Sequence, residues 1–137
     1  MKQHHTKDKG DIGVLKAQAD LAAQGFTILL PLTEHQAFDL VIYKDNCFRR
    51  VQVKYRSIKQ GKLEIPFRSS WADREGVHTV HTDKTQIDLY CVYCPETDQC
   101  YYFDPNQCER SITLRVDTPR NNQRKKVRLA IDYRRVP

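Results

Sequence analysis

Asp39, Gln52 and Lys54 are the residues whose types and spacing bear most directly on chemistry. Asp39 stands in the run Phe38-Asp39-Leu40-Val41-Ile42-Tyr43, a carboxylate within an otherwise apolar strand, where an unpaired charge is costly. A turn at Asp45-Asn46 separates it from Arg50-Val51-Gln52-Val53-Lys54. Residues two apart on a strand project from one face, so Gln52 and Lys54 share a side while Val51 and Val53 turn into a core. The short turn lets the two strands pair and brings Asp39 beside Gln52 and Lys54. A carboxylate, an amide oxygen and a backbone carbonyl form a hard-oxygen set of the kind that holds Mg²⁺. A lysine next to that ion orients an attacking water and stabilises charge on a phosphate. Taken singly, each residue has a plain structural reading: Asp39 as a core acid paired with Lys54, Gln52 as a satisfied buried amide. The combination is what points to phosphoryl chemistry.

The elements that must position these residues are legible around them. Ile12, Leu15, Ala19, Ala22 and Ala23 form an apolar stripe that predicts a helix over residues 10–24, and Gly25 stops it. Strands are expected over 27–30, 38–43, 50–55 and 62–67, the last following a Gln60-Gly61 turn. Residues 68–85 read as a polar, irregular loop with Trp71 as its bulky anchor. Residues 87–94 and 100–103 form a hairpin, 111–116 another strand, and Val127, Ala130, Ile131 and Arg134 follow the spacing of a short terminal helix. This order predicts an α/β fold with a mixed sheet. At 137 residues and 39% apolar content the chain is one domain, 1–137, able to build its own core. No apolar run approaches the roughly 20 residues that span a bilayer. The polar start MKQHHTKDKG lacks a signal-peptide core, so a cytoplasmic location is expected. Five cysteines, an odd number, fit reduced thiols better than a disulfide framework. Cys91, Cys94, Cys100 and Cys108 offer a rival zinc reading. Its weakness is that Cys91 and Cys94 fall in a strand and point to opposite faces.

The segment Phe38-Asp39 through Gln52-Val53-Lys54 resembles the PD-(D/E)XK nucleases, with their restriction-endonuclease-like core of a mixed β-sheet flanked by helices. Within them it is most similar to endonucleases encoded in group I introns of bacteria, which use a D…QxK variant. Asp39, Gln52 and Lys54 match that pattern position by position. Lys9-Gly10, Gly25, Pro31, residues 112–115 and Ala130-Ile131-Asp132-Tyr133 extend the likeness over most of the chain. The resemblance implies a Mg²⁺-dependent, site-specific double-stranded DNA endonuclease of the homing type. In it Asp39 and Gln52 bind metal and Lys54 assists the nucleophile. Two positions depart from the pattern: Phe38 replaces the proline of the "PD" half, and Val14 stands where related enzymes carry a helix glutamate. Asp11, three residues earlier on nearly the same helix face, is the candidate to supply that carboxylate to the catalytic and metal site.

The net charge of +6 is unevenly spread: residues 1–70 carry +5, 71–110 carry −5 and 111–137 carry +6. Basic ends that converge in space would make a phosphate-binding surface. Arg49, Arg50, Arg56, Lys59 and Lys62 flank the proposed site. Arg68 and the stretch to Lys84 suit a groove-reading element, and Arg115, Arg120, Arg124, Lys125, Lys126 and Arg128 form the densest basic cluster. One site cuts one strand, so double-strand cleavage implies a homo-oligomer, a dimer or tetramer. The apolar strands 89–93 and 101–103 are candidates either for its interface or for the core. Rival functions are a Holliday-junction resolvase, a repair or restriction-type nuclease of the same fold, and a non-catalytic DNA-binding module.

Overall fold

The computed structural model describes residues 6–117 and 127–137. The chain opens on helix α1 (Thr6–Ala23), which begins earlier than expected and ends as expected. Gly25, at φ +92°, closes it: the Phe26 N–H bonds back to Leu21 O and the Gly25 N–H to Ala22 O. These two bonds satisfy carbonyls that the helix end would otherwise orphan. The buried face of α1 is not the predicted stripe. Gly13, Ala17 and Leu21 turn inward at four-residue spacing, while Leu15, Ala19, Ala22 and Ala23 are exposed. The helix approaches the sheet through its smallest residues, and a Cβ on Gly13 would already touch Val53 at 3.5 Å. Alanines stand on both faces of the run, so apolar content alone does not tell which face turns inward.

Five strands form the central sheet in the order β1-β2-β3-β7-β8. They are β1 (Thr27–Leu29), β2 (Leu40–Lys44), β3 (Cys47–Tyr55), β7 (Leu89–Cys94) and β8 (Gln99–Phe103). β3 and β7 run parallel and the other neighbours antiparallel, which gives the mixed sheet expected. The β2–β3 hairpin turns on Asp45 and Asn46, at φ +52° and +62°. Two consecutive positive φ values define the tight turn whose twist matches that of the flanking strands. β7 is buried along its whole length, as a central strand covered on both faces must be.

The two faces of the sheet carry separate cores. Against α1, Ala17 and Leu21 pack on Leu40, Ile42, Val51, Leu89, Cys91, Tyr93, Cys100 and Tyr102. The opposite face is covered by an antiparallel pair, β4 (Lys62–Pro66) and β9 (Ser111–Arg115). Leu63, Ile65, Ile112 and Leu114 of that pair meet Tyr90, Val92, Tyr101 and Phe103. Within this second core Phe67 and Phe103 flank Tyr90, with ring centroids 5.0 and 5.3 Å away. Phe103→Ala removes one ring of the stack and leaves a cavity, and is expected to cost about 3–5 kcal/mol, read as a lowered denaturant midpoint at unchanged slope.

Three expectations change. Residues 68–85 are not an irregular loop: β5 (Arg68–Asp73) and β6 (Gly76–His81) pair antiparallel as a ribbon of their own. Asp73 and Gly76 bracket its two-residue turn, and Gly76 takes φ +122°. The Trp71 side chain lies outside the described residues. Strands β7 and β8, candidates for an interface, belong to the core: their apolar and aromatic residues are buried. The terminal helix shrinks to a single 3-10 turn (Ala130–Tyr133), reached through a bridge between Arg115 and Leu129. Cys91 and Cys100 lie in the α1-side core, Cys94 and Cys108 in the other, so the sheet stands between the two pairs. No helix among the described residues is long and apolar enough to cross a membrane.

Candidate active site

The β2–β3 hairpin builds the site. Its register pairs Leu40 with Val51, which sets Asp39, one residue before β2, opposite Gln52. The Asp39 N–H donates to Val51 O at 2.9 Å, and Asp39 Oδ2 accepts the Val53 N–H at 2.7 Å. The carboxylate is thus held by the neighbouring strand's backbone, with Oδ1 left over. Part of the residue is open to solvent, yet the surrounding chain crowds the carboxyl. This desolvation raises its pKa above the usual carboxylate value, against the opposing pull of the Val53 N–H and the Lys54 charge.

Gln52 and Lys54 project from the face opposite Val51 and Val53, as their spacing requires; the two valines pack toward α1. Gln52 Oε1 is buried and accepts no hydrogen bond. Such an acceptor forfeits its hydration without compensation, an arrangement that persists where a ligand satisfies it. Lys54 Nζ lies 5.9 Å from the centre of the Tyr90 ring, over its face. Burial lowers the Lys54 pKa, the Arg56 charge lowers it further, and Asp39 opposes both. A partly buried amine beside the carboxylate can orient a water and stabilise negative charge on a phosphate.

The donors suit a divalent cation of the hard kind. One carboxylate already oriented by backbone, plus one buried amide oxygen without a partner, leave most of the coordination sphere to water. Consistent with this sparse set, no cluster of three His, Cys, Asp or Glu residues that could hold a metal exists among the described residues. Asp11 is exposed on α1, and no hydrogen bond or ion pair among the described residues ties it to the other three. Val14 packs against the α1-side core instead of facing a ligand.

The basic residues divide sharply. Arg50 forks onto Asp88, Nε to Oδ2 at 2.9 Å and Nη2 to Oδ1 at 3.0 Å, and holds Asp88 below the usual carboxylate pKa. It fastens β3 to the entry of β7. Arg49 reaches Pro137 O at 3.1 Å, and Arg128 lies 3.4 Å from Cys108 Sγ. Lys59 and Arg68 are exposed and Lys62 is half-buried, paired across the ladder with Arg115. Arg56 and Arg115 are half-buried, each with a buried Nε that finds no acceptor. Arg120, Arg124, Lys125 and Lys126 lie outside the described residues. Tyr90, beneath the lysine, went unnoticed in the sequence: it faces Gln52 only through the parallel β3–β7 pairing, and a long-range contact of that kind leaves no local signal.

A family model described as PD-(D/E)XK endonuclease matches residues 4–136. The chain belongs to that family. This endonuclease is similar over 96% of its length to the structure of a bacterial homing endonuclease, I-Ssp6803I, at 25% identity and a TM-score of 0.77, covering 89% of that chain. A second structure, the Holliday junction resolvase Hjc of Archaeoglobus fulgidus, matches at 13% identity and a TM-score of 0.48, over 78% of this chain and 84% of that one. No curated protein matches. Endonucleases of this family generally use divalent metal ions.

Proposed function

We propose that the protein is a Mg²⁺-dependent, site-specific homing endonuclease that hydrolyses phosphodiester bonds of double-stranded DNA, with residues 1–137 acting as one catalytic domain. The observation that carries this reading is the convergence of a backbone-held Asp39 carboxylate, the unpartnered Gln52 Oε1 and the half-buried Lys54 amine on one hairpin. Asp39 and Gln52 would hold Mg²⁺, which when bound supplies Lewis-acid stabilisation of the phosphate. Lys54 positions the attacking water and stabilises the charge that builds on the phosphate as the water oxygen bonds to phosphorus, its proton passing to solvent, and the leaving ester oxygen departs. Asp11 would take the lesser part of the metal site, adding a second carboxylate from the surface of α1.

Duplex grip falls to Lys59, Lys62, Arg68 and Arg115, whose charges are not consumed by internal partners. Arg120, Arg124, Lys125, Lys126 and Arg128 add their charge to the same basic segment. The β5–β6 ribbon is the reading element. It is two-stranded, of a width that a major groove admits, and its Val77 and Val80 are 76% and 53% exposed. Double-strand cleavage calls for a homo-oligomer. With β7 and β8 buried, the exposed Leu29, Leu30 and Leu32, on and just after edge strand β1, offer the apolar surface for it.

Cleavage of a library of long duplexes in Mg²⁺ tests the whole. Cuts at one sequence are expected, abolished by removing the ion and restored on adding it back. Truncating the β5–β6 ribbon to its base and closing it with a short turn should leave the fold intact and blur the site preference. Preferential cutting of four-way junctions would replace the homing role with resolution, and binding without cutting would reduce the protein to a DNA-binding module.

A further inference from the structure

The two sides of Lys54 carry opposite unmet demands. Two residues before it, Gln52 Oε1 is a buried acceptor with no donor; two residues after it, Arg56 Nε is a buried donor with no acceptor. All three alternate onto the same face of the chain as it runs along and just past β3, and Arg56 stays in register with the sheet through its N–H bond to Tyr93 O at 2.9 Å. An orphaned acceptor asks for a cation and an orphaned donor on a guanidinium asks for an anion. We infer that Arg56 grips the DNA backbone phosphate next to the one being cut, and so sets the scissile phosphate in register with Asp39, Gln52 and Lys54. The inference rests on the nuclease reading above and deepens it.

Geometry favours the neighbouring phosphate over the scissile one. Gln52 and Arg56 are four residues apart, about 13 Å along an extended strand, which is more than a single phosphate group bridges. Arg56 also lies close enough to Lys54 for its charge to act on that amine, which puts it at the edge of the reaction centre and not on a remote surface. The two arginines of β3 itself have other employment. Arg50 is locked on Asp88, and Arg49 on the C-terminal carbonyl. A guanidinium that keeps a buried N–H unpaired in the free protein loses nothing when a phosphate oxygen arrives. That is the condition for a contact preorganised for its ligand.

The test uses the full-length protein and duplex DNA, with Ca²⁺ in place of Mg²⁺ so that binding is read without cutting. Plotting log affinity against log salt, Arg56→Gln should flatten the slope by about 0.9, one phosphate's worth of released counterion, and Arg56→Lys should restore it. Arg50→Ala should leave the slope at its parental value. At the mapped target, single neutral methylphosphonates are then placed at each phosphate around the cut. One position beside the scissile phosphate should weaken binding by the parent and cost Arg56→Gln nothing further.

Thermal unfolding is followed for every variant. Should Arg56→Gln fail to fold, Arg56→Met takes its place in the methylphosphonate scan, and its penalty at that position must vanish. An unchanged salt slope, or a penalty equal in parent and variant, overturns the inference. A parent that neither binds nor cuts duplex DNA overturns the nuclease reading itself, so the two failures are told apart.

Discussion

Lys54→Met is expected to lower the Mg²⁺-supported cleavage rate by about 10³-fold, within the range that a positioned charge-stabilising group contributes, while duplex affinity stays near the parental value. Methionine keeps an unbranched apolar stem over the Tyr90 ring and removes the ammonium, so the change is chemical more than architectural. The same substitution should stabilise the fold. Burial lowers the Lys54 pKa in the native state below its ordinary 10.5, so the unfolded chain binds more protons in the window between the two values. Native stability therefore rises with pH through that window, and the penalty of burying the ammonium is fully present below it. Unfolding midpoints measured across that range should climb with pH in the parent and lose that climb in Lys54→Met. A variant that cuts well would remove Lys54 from the mechanism. One that is inactive but less stable at neutral pH would mean that the amine serves packing.

Asp39→Asn carries the second large effect: a loss of cleavage of about 10³-fold or more, with Mg²⁺ affinity reduced so that calorimetric titration of the ion no longer shows the parental binding isotherm. The amide still accepts the Val53 N–H, so the β2–β3 hairpin should keep its geometry, and with the crowded charge gone the unfolding midpoint near neutral pH should hold or rise. In the parent, crowding raises the carboxyl pKa above 3.8, so the folded chain retains a proton that the unfolded chain has released. Stability then falls as pH rises through that window, and a bound cation cancels the penalty. Asp11→Asn is the companion: a few-fold loss is expected for a lesser carboxylate on the helix surface. A loss equal to that of Asp39→Asn would make Asp11 a full partner of Asp39 at the metal.

The site was more legible than its surroundings because its determinants are local. Asp39, Gln52 and Lys54 lie within one hairpin, and a two-residue turn with strand alternation suffices to place all three. What escaped notice depends on distant partners. Tyr90 reaches the lysine through a parallel pairing across the sheet, and Arg50 was read as a phosphate contact when Asp88, 38 residues away, claims its fork. The buried face of α1 differs from the expected stripe because the helix meets the sheet through Gly13, Ala17 and Leu21, and alanines at 17, 19, 22 and 23 give no apolar contrast that picks one face. The β5–β6 ribbon went unread for a related reason. β6 is exposed along almost its whole length, and neither strand alternates apolar with polar residues, the pattern by which strands are recognised.

The Asp45-Asn46 turn has a consequence for how such a protein changes over generations. Side chains alternate with period two, so an insertion or deletion of one residue between Leu40 and Val51 would swing Gln52 and Lys54 to the α1 side and bring Val51 and Val53 round to the reaction face. Drift in chain length is therefore barred from this dozen residues. The ribbon tip, which no core holds, stays open to it. On the proposed reading, catalysis and target choice sit on segments with very different tolerance to reading-frame-preserving indels. A lineage of such enzymes can thus wander among targets by remodelling the ribbon while inheriting its cutting hairpin letter-count intact.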